Sequence, residues 1–308
     1  MKTIAKDWIK SNESRWKEST KCRYLEKLNI YILPEFGNRD ITDISTKEIE
    51  DFLVMLQSTG YKEKLPLGSS SASMVLTILK QLQLHAKKHN GLKCYSAKCI
   101  TVRKKTSTHE FLSEHEQKVL VSQLEKNADE ISIGILTSLF TGIRLGEICA
   151  MKCDNIDLDS GIIHVMETMQ RIPVFSEYGA KTKILIDIPK SDRSFREIPI
   201  NPILNKLLQP FIKQGAFLLT GDKKRFIEPR TMENHFAAVL RQCGIRHMGY
   251  HATRRTFATR CIERGMNPRT LAEILGHADV STTLNYYVCA DMKKKAEGVK
   301  LLSDLFDV

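Results

Sequence analysis

His251-Ala-Thr-Arg254 sets an imidazole and a guanidinium three positions apart, which on a helix puts both on one face. Arg255, Arg260 and Arg264 add positive charge along the same stretch. The helix is expected to end at Gly265. Asn267-Pro268 then opens another, with Asn as the N-cap and Pro at the first helical position. Taken alone, this is a helix–turn–helix-like element, and plain DNA binding is a fair reading of it. Leu275-Gly-His277 closes the second helix, and two tyrosines, Tyr286 and Tyr287, follow nine and ten residues after the histidine. Val280, Leu284 and Tyr287 recur at spacings of four and three, so Tyr287 shares an apolar helical face with them. Core packing produces that phase, and so does a tyrosine turned inward toward a site.

Upstream, Thr141-Gly-Ile-Arg-Leu-Gly-Glu147 puts Arg144 in an apolar neighbourhood, where an unpaired charge is costly. Glu147 is three residues on and can hold it, and a structural ion pair explains this much. The features become sharper together. Arg144 in T-G-x-R-x-x-E, His251 and Arg254 in H-x-x-R, His277 in L-G-H and a tyrosine about ten residues later resemble, in order and spacing, the tyrosine recombinase or phage integrase family. Lys190, in the turn-like Lys190-Ser-Asp-Arg-Ser194, and Arg196-Glu-Ile-Pro-Ile200, similar to the second strand of the family's hairpin, extend the likeness. It covers roughly residues 110–300, with residues 1–100 similar to the family's helical core-binding domain. Two positions depart: the residue after the H-x-x-R arginine, often His, is Arg255, and the residue two after Tyr287, often His, is Cys289. Neither is a core catalytic position.

The resemblance implies a reaction. A tyrosine attacks a DNA phosphodiester, forms a 3′-phosphotyrosine and frees a 5′-hydroxyl; a second hydroxyl reverses the step on a new strand. Bond energy is kept in the covalent intermediate, so no ATP is required, and no metal or other cofactor is expected. Arg144 and Arg254 would stabilise the negatively charged phosphorane, since a guanidinium grips two phosphate oxygens with a planar fork. Lys190 would protonate the leaving oxygen, His251 would accept the phenol proton, and His277 would donate a hydrogen bond to the phosphate. Glu147 would support Arg144. Both tyrosines satisfy the family's spacing; Thr283-Leu-Asn-Tyr-Tyr287-Val resembles the family's T-L-x-x-Y form and favours Tyr287 over Tyr286 as nucleophile.

The expected fold class is mainly α with a small antiparallel β-sheet. A helical, SAM-like core-binding domain spans 1–100, a basic linker 101–109 and the catalytic domain 110–308. In the first domain, 20–33 has helical phase ended by Pro34 and Gly37, Ser45-Thr-Lys-Glu48 is a capping box, and a third helix runs from Ala72 to His89. In the second, Ser113-Glu-His-Glu116 opens a helix, 131–152 reads as two helices broken near Thr141-Gly142, and 161–165, 184–188 and 196–200 read as strands. Residues 172–183 read as a long connecting loop. The tail, 293–306, carries apolar residues at helical spacing and, by resemblance, docks on a neighbouring protomer or packs at home.

Composition agrees with a DNA partner without specifying one. The 308 residues carry a net charge of +11. Residues 1–108 hold 20 Lys and Arg against 11 Asp and Glu, whereas the remaining 200 hold 27 against 25. A basic first third suits a polyanion such as DNA. Arg103, Lys104 and Lys105 in the linker are candidates to lie along a phosphate backbone, although a solvated tether has the same composition. The eight cysteines form no C-x-x-C pair, so reduced thiols are expected rather than a zinc site. No apolar run is long enough to span a bilayer and no signal peptide is recognisable. The expected location is therefore cytoplasmic, at the nucleoid. By resemblance the partners are double-stranded DNA bearing specific recombination sites, gripped by a C-shaped clamp of the two domains, four protomers on synapsed DNA, and a helper DNA-bending or directionality protein. Competing readings are a chromosome-dimer-resolving recombinase, a type IB topoisomerase and a non-catalytic DNA-binding regulator.

Overall fold

The structure, a computed structural model, describes residues 1–62, 64–94, 97, 99–102, 110–176, 179–188, 195–277 and 279–284. Two compact units divide the chain: Met1–Thr108 with Ile172–Lys183, and His109–Arg171 with Ile184–Val308.

Among the described residues the first unit contains α1 (Lys2–Asn12), α2 (Glu18–Lys27), α3 (Leu33–Phe36), α4 (Thr46–Ser58) and α5 (Ser69–Asn90). Ser45 caps α4 with its hydroxyl on the Glu48 N–H, and the Glu48 carboxylate accepts from the Ser45 N–H in return. The helix thus starts where the capping box predicted, and Ile49, Phe52, Leu53 and Leu56 are buried in the shared core with Leu28, Ile32, Val75, Leu79 and Leu82. Pro34 does not end the preceding helix. A π-helical turn, Leu28–Ile32, sits between α2 and α3, and Pro34 lies in the first turn of α3. The wider turn rearranges the hydrogen-bond ladder at the point where proline has no N–H to give. The chain then bends off at Gly37, as expected.

The second unit surrounds α7 (Glu130–Thr141), which is buried on almost every face and therefore shows no polar stripe. Around it lie α6 (Glu114–Lys126), α8 (Leu145–Ala150), α9 (Pro202–Leu208), α10 (Pro229–Gln242), α11 (His251–Glu263), α12 (Pro268–Leu275) and α13 (Val280–Leu284). The break expected near Thr141-Gly142 is real: Gly142 ends α7 at φ +66. A Cβ there would fall 2.5 Å from Phe257 Cδ1 and 2.7 Å from Leu275 Cδ2, so only glycine serves.

The strands correct two expectations. The described residues form two sheets, β1 (Ile156–Asp157), β2 (Ile162–Val165) and β5 (Arg196–Pro199) in the order β1-β2-β5, and β3 (Thr168–Ser176) with β4 (Gly179–Asp187). The segment 196–199 therefore pairs antiparallel with β2, Ile163 opposite Ile198, while 184–187 belongs to β4 and pairs with β3. Ile163, Val165 and Ile198 are all buried, and a buried face fixes register because a one-residue slip would turn it to solvent. The connection expected at 172–183 is also mostly strand. Pro173 lies within β3; in a two-stranded sheet every strand is an edge, where proline is tolerated. Among the described residues no helix is long and apolar enough to cross a membrane, and the described cysteines are free thiols.

Candidate active site

The C-terminal turn of α12 organises the site. Gly276 follows the helix in the left-handed conformation at φ +65, and the His277 N–H returns to the Ala272 carbonyl at 2.9 Å. Such an ending leaves carbonyls of the last turn without intrahelical donors. Three arginines from three other elements supply them. Arg196, first residue of β5, donates from Nε to the Ile274 carbonyl at 2.7 Å. Arg254, on α11, donates to Leu275 at 2.7 Å. Arg144, at the start of α8, donates to Gly276 at 2.7 Å. The helix dipole puts partial negative charge where these cations gather.

Each arginine has a second anchor. Arg254 is 1% exposed and also donates to the Gly142 carbonyl at 2.8 Å, so its guanidinium bridges the C-terminal ends of α7 and α12. Arg144 donates to Glu147 Oε1 at 2.8 Å and keeps 35% of its side chain exposed. Arg196, only 5% exposed, meets Glu147 with a fork, at 3.0 Å to Oε1 and 2.8 Å to Oε2. Glu147 Oε2 further accepts the Arg144 N–H at 2.8 Å, which satisfies an unmade donor at the start of α8. Glu147 is thus the deep member of the motif. Burial alone would raise its carboxyl; the Arg196 hydrogen bonds and the Arg196 and Arg144 charges overcome this and hold it at about 2. Sequence reading assigned Glu147 to Arg144 and missed Arg196. The available signal was a charged residue opening a strand whose next inward position, Ile198, is apolar.

His277 and His251 complete what the structure describes. His277 Nδ1 lies 2.8 Å from Thr283 Oγ1, in α13, another partner that sequence reading did not name. Burial and the nearby Arg254, Arg144 and Arg196 charges push its imidazolium down to about 4. His251, first residue of α11, is exposed where Arg254 one turn later is buried. Even so, the protein packed beside it and the charges of Arg254, Arg255 and Arg144 lower it to about 4 as well. Both imidazoles are therefore neutral at pH 7. Arg144, Arg254, His251, His277 and Glu147 are brought together. Val280, part of the apolar phase that favoured Tyr287, is exposed instead, and Thr283 of α13 is buried. Arg255 is half-buried on α11, whereas Lys190, Tyr286, Tyr287, Cys289, Arg103, Lys104 and Lys105 lie outside the described residues, as does the 293–308 tail. Among the described residues no three His, Cys, Asp or Glu side chains are grouped to share a metal ion.

A cluster of guanidinium groups and neutral imidazoles can hold a phosphate diester, stabilise charge that develops on it and accept a proton. Comparison with known proteins agrees with that chemistry. A model described as the phage integrase family matches residues 110–294, and one described as the phage integrase N-terminal SAM-like domain matches 1–56. A tyrosine recombinase XerC-like protein of Caldanaerobacter subterraneus subsp. tengcongensis is 30% identical over 189 residues, 56% of this chain and 48% of that protein, so the match spans about half of that relative's length. The transposase from transposon Tn916 of Enterococcus faecalis is 23% identical, covering 98% of this chain and 77% of that protein. The Tn1549 transposon integrase, solved in complex with transposon right end DNA, has the same fold: TM-score 0.77 at 21% identity, covering 97% of this chain and 99% of that one.

Proposed function

Because the chain belongs to the phage integrase family of tyrosine recombinases, we propose that it is the site-specific recombinase of a mobile element, cutting and rejoining double-stranded DNA through a 3′-phosphotyrosine. The observation that carries this reading is the convergence of Arg144, Arg254 and His277 on the last turn of α12. Arg144 and Arg254 hold the scissile phosphate. The Tyr287 phenol oxygen bonds to phosphorus as the bond to the 5′-oxygen breaks. His251 takes the phenol proton, Lys190 gives a proton to the 5′-oxygen, and His277 hydrogen-bonds a phosphate oxygen. Glu147 holds Arg144 in place. Arg103, Lys104 and Lys105 follow the backbone of the bound duplex. Four protomers act on two synapsed sites, with a helper protein setting direction, at the nucleoid in the cytoplasm. The second reading is a chromosome-dimer-resolving recombinase; the DNA sites that are cut separate the two.

Nicked suicide duplexes carrying the element's ends test the mechanism. Incubation without metal is expected to give a covalent protein–DNA adduct on a denaturing gel, lost with Tyr287→Phe and kept with Tyr286→Phe. Loss with Tyr286→Phe alone moves the nucleophile by one residue. Tight binding with no adduct from the wild type would sink the recombinase reading in favour of a DNA-binding regulator.

The histidines add a pH dependence. Folding lowers both imidazoles from an ordinary value near 6.5 to about 4, so below pH ~6.5 the unfolded chain binds protons that the folded one does not. Stability is expected to fall as pH drops from about 6.5 toward 4. Urea midpoints at pH 7 and 5 measure this; His277→Gln should reduce the difference between them, and an undiminished difference would show that His277 is not responsible.

A further inference from the structure

We propose that Arg196 is a positioning residue of the active site, whose fork on Glu147 keeps Arg144 free to meet the phosphate. The proposal rests on the recombinase reading above and deepens it.

The argument begins with how many hydrogen bonds one carboxylate accepts. Ionised Glu147 has about four lone-pair positions. Arg196 fills two, Arg144 Nη1 one and the Arg144 backbone N–H one. Arg144 is therefore allowed a single side-chain contact to Glu147 and one to the Gly276 carbonyl. Its side chain remains one-third exposed while Arg196 is 5% exposed. Two arginines share one carboxylate unequally: the buried one has the bidentate contact, and the outer one is tethered but open to a ligand. Removing the Arg196 fork would leave two lone pairs of a buried carboxylate empty. The nearest guanidinium to fill them is that of Arg144, and a planar fork on Glu147 would turn it away from the phosphate.

Arg196 also ties two other parts of the site together. Its Nε holds the Ile274 carbonyl, two residues before Gly276 and three before His277. It opens β5, six residues after Lys190 in the chain, and β5 is itself fixed to β2 by its antiparallel register. One buried side chain thus joins the strand that follows the lysine segment to the Glu147 pair and to the helix end bearing His277.

The test is a set of variants in the suicide-duplex assay, with DNA affinity measured in parallel. Arg196→Met is expected to slow adduct formation by at least about ten-fold while affinity stays within about two-fold, the pattern of a lost transition-state interaction rather than lost binding. Arg196→Met with Glu147→Gln is expected to be faster than Arg196→Met alone, because the neutral amide no longer captures Arg144; this non-additivity is the signature of a shared partner. A merely structural role would not give this rescue. If Arg196→Met does not fold, Arg196→Lys, which keeps charge without the fork, decides in the same assay. Wild-type rates in the variant that folds, or equal losses of rate and affinity, overturn the proposal and leave the recombinase reading intact. Failure of the wild type to form any adduct overturns both.

Discussion

Arg254→Ala is expected to abolish detectable adduct formation and to destabilise the catalytic unit by several kcal/mol. Two separate costs add to the second effect. The Gly142 and Leu275 carbonyls lose their donors, at about 1–3 kcal/mol for each buried group left unsatisfied. The space of a side chain only 1% exposed is also emptied, and large-to-small replacements in a packed interior cost about 2–5 kcal/mol. Loss of rate has a different origin. A guanidinium that bridges two helix ends is fixed before the substrate arrives, and such preorganised charge is worth a factor of about 10²–10³ or more in rate. Arg254→Lys separates the two effects. An ammonium has no planar fork and reaches both carbonyls poorly, so stability should partly recover while rate does not. The measurements are urea denaturation and the adduct time course. A variant of Arg254→Ala with wild-type stability would show that the two carbonyls are satisfied some other way.

Glu147→Ala is expected to be nearly as damaging to stability. It strips the counter-charge from Arg196, which has 5% exposure, and breaking a buried pair by removing one partner costs about 3–5 kcal/mol. It also removes the acceptor for the Arg144 N–H at the start of α8. Glu147→Gln should cost less, since an amide keeps the shape and one acceptor oxygen. The same pair predicts acid behaviour. The carboxyl is held at about 2 in the folded chain, below the ordinary value near 4.3. Its contribution is therefore complete above about pH 4.3 and disappears as pH falls through 2. Wild type and Glu147→Gln should converge in urea midpoint over that window; curves that stay parallel down to pH 2 would rule out the ion pair as the source.

Local signals were reliable wherever one residue's chemistry decides the backbone. Ser45 and Ser113 start their helices with the capping boxes visible in the chain. Asn267-Pro268 opens α12, Gly142 breaks α7 from α8, and Gly91 ends α5 at φ +66. The caps act within four residues of themselves, and the two glycines end their helices through a positive φ, a property of the residue itself. The family motifs were legible for a related reason: they are short and ordered, so Arg144, Arg254, His251 and His277 could be picked out of the chain as one group before the fold brought them together.

Long-range pairing was not legible. The strand at 196–199 was assigned to a hairpin with its neighbour in sequence, yet it bonds β2, more than thirty positions earlier. Its alternating pattern says that one face is buried, and says nothing about which strand lies alongside. The pairing of β3 with β4 was likewise missed, because the stretch 172–183 reads in the chain as a connecting loop. Arg196 is the clearest case. From the chain it is one of 47 basic residues; in the fold it is buried against Glu147 and the Ile274 carbonyl. A charge becomes a structural part only when burial removes water as its alternative partner, and burial is set by elements that come from 144–150, 196–199, 251–263 and 268–275 together. The residue types and helix limits of this site were therefore present in the chain itself, while the sharing of one carboxylate between two arginines, and of one helix end among three, came from packing distant segments into a common dry space.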